Sequence, residues 1–419
     1  MKQYLQTLGV IFAFLILTPA FPLAAQPVPV TTPAAAMTPA AKLEDLRATG
    51  FDALYNLDYE TARKQFSELR RIMPDHPAGP QWLAATLWAQ ILNESRGLQS
   101  SLYSNDSYYA QTEAKPDPKV VAEFNALTKE AIDLAKARLM KDPKDIEALY
   151  FKGVTQGLRA AFKVSVERSF TAALGDGRSS VSNHEDVLKL DPTYTDAQVT
   201  IGFYNYTMAN LPAFYKLVAN VAGFSGSKKR AFELLQKVTR EGRWAQDDAR
   251  SLLILLYKRE KRFPEALAAC RELAAKYTRN FLYKLEAADA LVSMAGVARA
   301  ARKNDEATSN EREAFAIFDA VLRDKNAAKT LDLVHAKYGE ALFSAKQYPE
   351  AAKELLAAAE TPGAETNLVT GARLRAGQAY DLLGKRAEAV TQYQAVLKRA
   401  DVMDAHDQAK KGFKEPYKI

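Results

Sequence analysis

The chain has 419 residues with a formal charge of +7 from 57 basic and 50 acidic side chains. Opposite charges are interleaved, which suits a soluble surface and allows weak attraction to anionic membranes or acidic partners without arguing for nucleic acid, so nucleic acid is not expected among the partners. A single cysteine, Cys270, excludes an internal disulfide framework, leaving packing alone to hold the fold.

The N-terminus has the order of a secretory signal. Lys2 gives a positive start, Leu8 to Leu17 is an apolar run, and Leu23-Ala24-Ala25 closes the segment with small residues before Gln26. The apolar run falls short of the ~20 residues that span a bilayer. No cysteine sits near the cleavage site to be acylated. Residues 1–25 are therefore expected to be removed, leaving a periplasmic or secreted protein with a formal charge of +6. Residues 26–40 hold four prolines and no charge, which predicts an extended, disordered tether. The folded region is expected over residues 41–400, with a tail from 401 to 419.

From residue 41 onward the pattern is helical, and no stretch alternates as a strand. Four segments share one arrangement of small and aromatic residues. The first carries Gly50, Tyr59, Ala62, Phe66 and Pro74. A central one carries Leu253, Tyr257, Phe263, Ala266, Cys270 and Leu273. A later one has Gly339, Tyr348, Ala351 and Ala358, and the last has Gly377, Tyr380, Gly384, Ala389 and Tyr393. Small residues let paired helices approach, aromatics fill the space between pairs, and a proline stops the second helix. A second echo runs from Asp142-Pro143 to Ala148 and Gly153, and at the same spacing from Asp191-Pro192 to Ala197 and Gly202.

These segments resemble the tetratricopeptide repeat (TPR) of exported bacterial proteins, over roughly residues 41–400. The resemblance implies an all-α, irregular, TPR-like helical-hairpin solenoid with a right-handed superhelix. Irregularity is expected at Asn93–Pro118, at a glycine turn around Gly175–Arg178, and in a long helix pair over Phe281–Arg302 and Asn304–Arg323. Residues 202–242 are also similar to a segment of larger eukaryotic TPR proteins, from which no function is carried. The main resemblance implies a scaffold that binds a protein or peptide, often in envelope assembly.

In that fold the first helix of each pair lines the concave face. Counting from the anchors puts Arg47, Phe51, Tyr55, Phe203, Tyr206, Lys258, Arg259, Gln378 and Asp381 there as candidate groove residues. The competing reading is that they pack between helices. They do not reproduce the Lys/Asn carboxylate clamp of chaperone-binding TPR domains.

A second candidate is the segment 211–230, an apolar stretch followed by Ser225, Ser227, Lys228, Lys229 and Arg230. A helix starting near Ser227 would aim N–H groups and cations at an anion or a membrane surface. The alternative is a buried hairpin with Ser225 or Ser227 as a cap. Catalysis finds no support. His76, His184, His335 and His406 are scattered and none lies in a metal motif. Gly223–Ser227 lacks the second glycine of a nucleophile elbow. Cys270 is expected to be buried and inert. No enzyme activity, cofactor or metal is expected. The partner is expected to be a protein or peptide, with peripheral membrane contact as the rival.

Overall fold

A computed structural model describes residues 38–99, 116–210, 225–402 and 404–419. The signal segment, nearly all of the tether and the apolar stretch 211–224 lie outside them. Among the described residues there are seventeen α-helices and no strand. Helix α1 spans Pro39–Tyr55, α2 Tyr59–Ile72, α3 Ala78–Glu94, α4 Pro118–Lys141, α5 Ile146–Ser165, α6 Phe170–Leu190 and α7 Gln198–Ala209. Then come α8 Lys228–Glu241, α9 Gln246–Arg259, α10 Phe263–Lys276, α11 Phe281–Ala300 and α12 Asn304–Leu322. The chain closes with α13 Leu331–Ser344, α14 Tyr348–Glu360, α15 Thr366–Leu382, α16 Arg386–Leu397 and α17 Ala405–Lys414. The protein is an all-α solenoid of TPR-like helical hairpins.

Two compact units divide at Leu253/Ile254, inside α9. In the first, consecutive helices pack from α1 to α8; in the second, from α10 to α17. Odd-numbered helices also touch their odd neighbours, α3 with α5 in the first unit, and α11, α13, α15 and α17 in turn in the second. That places the first helix of each hairpin on the inner face.

The repeat residues act as their chemistry suggests. A Cβ on Gly50 would lie 2.3 Å from the Phe66 ring, and one on Gly377 would lie 2.7 Å from Tyr393, so only glycine admits these rings between paired helices. Asp142 and Asp191 follow the last residues of α4 and α6, and the proline after each prevents continuation. Asp145 starts α5 by accepting from the Ala148 N–H at 3.0 Å. Cys270 is fully buried, and burial pushes its thiol well above the ordinary range.

Three boundaries differ from expectation. Helix α1 already starts at Pro39, with the Thr38 hydroxyl accepting from the Ala41 N–H. Residues Gly175–Arg178 make no turn but lie inside α6. Asp176 there is tied to α5 by Lys163 at 2.7 Å and Arg159 at 3.3 Å, and the Ser180 hydroxyl donates to the Gly153 carbonyl at 2.6 Å. Packing against α5 thus overrides the weak helix propensity of two glycines. Residues 405–414, expected in a tail, form α17, which packs on α16 through Ala405 and Ala409.

Candidate functional site

Of the nine groove candidates, eight have buried side chains, and only Arg259 is half-buried. As a correction, these side chains do not form an open surface strip. They lie at three separate places on α1, α9 and α15, plus one pair in α7. That pair, Phe203 and Tyr206, is buried, with Tyr206 edge-on to Phe232 of α8 at 6.2 Å. Both helices of this hairpin offer large apolar residues, so the aromatics close the hairpin.

In the first unit, Arg47, Phe51 and Tyr55 occupy successive turns of α1. Phe51 sits 4.9 Å from Phe66 and 5.1 Å from Trp82 between ring centroids. The Tyr55 hydroxyl donates to Asp248 in the first turn of α9, so within this unit the first helix meets the ninth. Arg243 reinforces that closure through Glu44 at 3.3 Å. Asp196 accepts from the backbone N–H groups of Trp244 at 2.8 Å and Ala245 at 3.2 Å, which fixes the loop before α9. Burial raises the Asp196 pKa, and these N–H groups oppose it. Trp82, Phe151, Trp244 and Tyr150 form a continuous ring cluster with centroid separations of 5.7–6.0 Å. Sequence reasoning missed Gln81, Tyr150 and Trp244. Trp244 precedes its helix, and the closure that brings it to α1 spans four hairpins.

In the second unit, Lys258 is buried between Glu286 at 2.7 Å and Asp289, both on α11. Burial alone would discharge the ammonium, yet the two carboxylates hold its pKa above the ordinary value. Lys337 of α13 stands 3.9 Å from Asp289. The cluster is internally neutralised, as a structural tie between inner-face helices would be.

Gln378 and Asp381 are brought together at the end of α15. Asp381 accepts from Arg386 at 2.9 Å and from the Tyr393 hydroxyl at 2.7 Å. Its Oδ2 also accepts from the backbone N–H of Tyr417 at 2.8 Å, beyond the end of α17. Arg386 donates in turn to the Phe413 carbonyl at 2.8 Å. The Tyr417 ring packs 6.4 Å from Phe343 at the end of α13. A pocket of about 380 Å³ lies beside this segment, lined by Gln378, Tyr393, Gln408 and Lys411 with residues 414–417. Thus the extended segment after α17 crosses the ends of two inner-face helices, tied by the Tyr417 N–H to Asp381 and by the Tyr417 ring to Phe343.

Of the anion candidates, Ser227 caps α8 by accepting from the Arg230 N–H at 3.2 Å. Lys229 is exposed and 3.8 Å from Glu233, while Lys228 lies 5.8 Å from the Tyr206 ring. Ser225 and Arg230 are exposed. No helix among the described residues is long and apolar enough to cross a membrane. No group of three or more His, Cys, Asp or Glu among them is placed to hold a metal ion.

No protein-family model matches the chain, and no curated protein matches it. Solved structures do. A TPR protein from Parabacteroides merdae is 13% identical, covering 79% of this chain and 98% of its own, with a TM-score of 0.31. The P58(IPK) TPR domain is 14% identical, covering 89% and 97%, with a TM-score of 0.24. Human IFIT1, as a dimer with PPP-AAAA, is 12% identical, covering 87% and 80%, with a TM-score of 0.45. At these identities the likeness is one of fold. The expectation that excluded nucleic acid is corrected: human IFIT1 is among the matches as a dimer with PPP-AAAA and with m7Gppp-AAAA.

Proposed function

We propose that the chain is an exported bacterial scaffold without catalysis of its own, which captures an extended segment of a protein or peptide on the inner face of its second unit. The observation that carries this reading is the hydrogen bond from the Tyr417 N–H to Asp381. A backbone donor on a buried carboxylate is a contact that any extended peptide can make, whatever its sequence. The neighbouring pocket and the Phe343 ring then select side chains. The protein's own residues 415–419 thus stand in for a partner. Export rests on the charge, apolar run and small residues of 1–25.

The test uses a chain ending at Lys414 and a labelled peptide with the sequence of residues 414–419, followed by fluorescence anisotropy. Saturable binding is expected below about 1 mM, since a short tether supplies an effective concentration of that order. Asp381→Asn should weaken it roughly tenfold, because a hydrogen bond to a charged acceptor is worth about 1.5–3 kcal/mol. Absence of binding by the shortened chain, with its helicity unchanged, would sink the proposal.

A further inference from the structure

The first unit contains a second, different feature. Four buried side chains have a polar atom without a hydrogen-bond partner: Arg47 Nη1, Gln81 Oε1, Tyr150 OH and Trp244 Nε1. Arg47, Gln81 and Tyr150 are each 1% exposed and Trp244 is 6% exposed. All four line a single crevice, whose remaining walls are Trp82 and Phe151. It encloses about 210 Å³ of non-atom space, partly open to solvent, and is too narrow at rest for a water-sized sphere. A buried polar group left without a partner destabilises the fold, because its desolvation is not offset. Four of them converging on one place, with no room for the water that would usually answer them, call for a ligand that parts the rings.

The chemistry of that ligand follows from the donors. Arg47 lines the crevice and has one edge of its guanidinium closed by Glu44, through Nε at 3.0 Å and Nη2 at 2.7 Å, which leaves Nη1 without a partner. The indole N–H of Trp244 can only donate. Burial, with Asp196, Tyr194 and Asp248 adding to it, holds the Tyr150 phenol in its protonated form, able to donate. Asp196 and Asp248 already accept from Trp244 N–H, Ala245 N–H and the Tyr55 hydroxyl. Three donors, one of them charged, select an anionic acceptor. A single cation suits a monoanion better than a phosphate dianion. The ring walls select a flat apolar body next to that charge. Gln81 remains free to take one donor from the same molecule.

We infer that the crevice between α1, α3, α5 and the loop before α9 is a binding site for a carboxylate attached to an aromatic ring. Arg47, Tyr150 and Trp244 hold the carboxylate, and Trp82 and Phe151 flank the ring. The same chemistry is offered by a free aryl acid and by a peptide ending in an aromatic residue.

The experiment titrates the full chain with phenylacetate, with acetyl-Gly-Phe and with neutral phenylacetamide. The signal is tryptophan fluorescence, since Trp82 and Trp244 are two of the three tryptophans. Saturable quenching by at least one acid is expected, with the amide at least tenfold weaker. Phenylacetate alone would identify a small-molecule site, and the dipeptide alone a peptide C-terminus. Tyr150→Phe is expected to weaken binding about tenfold while leaving the melting temperature without probe unchanged or higher, because it deletes a hydroxyl that has no partner. Gln81→Met should likewise leave stability intact. No saturation by either acid, equal binding of the amide, or a lower melting temperature for Tyr150→Phe would overturn the assignment.

Discussion

His184 occupies in α6 the place that Phe66 and Tyr393 occupy in α2 and α16: a ring pressed onto a glycine of the preceding helix. A Cβ on Gly153 would meet its Nε2 at 2.6 Å. An imidazole there is fully buried, and burial lowers its pKa to about 4, with the Tyr150 carbonyl at 3.3 Å opposing only in part. The unfolded chain titrates near 6.5. Between those values the unfolded state binds the extra proton, so stability is complete above about pH 6.5 and falls as the pH is lowered toward 4. The loss amounts to roughly 3 kcal/mol. His184→Phe, which keeps a ring on the glycine, should flatten urea-denaturation midpoints from pH 6.5 to 4.5. Glu147 acts in a lower window: burial raises its pKa, but His76 and Arg138 outweigh this and bring it down to about 2. Its contribution, present above about pH 4.5, is lost only as the pH falls toward 2. A midpoint for His184→Phe that still declines between pH 6.5 and 4.5 would place the acid sensitivity elsewhere. The sequence showed His184 only as one of four scattered histidines. Its partner is a glycine 31 residues earlier, and that spacing becomes legible only once the hairpin is known.

Helix stops and hairpin closures were the most readable elements, because they depend on local chemistry. Asp145, which opens the helix after the first Asp-Pro stop, shows how much one residue does there. Its carboxylate caps α5 and also receives Arg138 from the last turn of α4 at 2.7 and 3.0 Å. Asp145→Ala removes both contacts, and a loss of about 1–2 kcal/mol is expected in chemical denaturation. Asp145→Asn keeps a capping oxygen and should recover part of it. An alanine variant as stable as the parent would show that the cap contributes nothing. The elements that escaped reading did so for physical reasons. Helix α6 contains Gly175 and Gly177, whose local preference favours a turn until Lys163 and Arg159 bind Asp176. Helix α17 buries only Ala405, Ala409 and Gly412, residues too small to give an apolar stripe.

At the scale of the whole molecule, the repeats made the solenoid legible, but the position of its inner face was not enough to find a site. Candidate residues such as Phe51 and Tyr206 are on helices that the repeat pattern located, yet they fill space between helices. What distinguishes Asp381 is its neighbour from another part of the chain. No periodicity connects Asp381 with Tyr417, and α17 has to turn back before they meet. The crevice of the first unit is equally hidden, since Arg47 and Trp244 come together only after four hairpins. Both proposed sites therefore rest on contacts across many residues, whereas the fold rests on contacts across few.

The central claim is that the inner face of the second unit already holds an extended peptide, its own residues 415–419. Amide hydrogen exchange of Tyr417 in the intact protein tests it most directly. The hydrogen bond to Asp381 should slow exchange of this amide well below that of Lys418, and Asp381→Ala, which removes the acceptor, should return it to the same rate. If Tyr417 exchanges as fast as Lys418 in the unaltered protein, the segment does not occupy the groove and the account is contradicted.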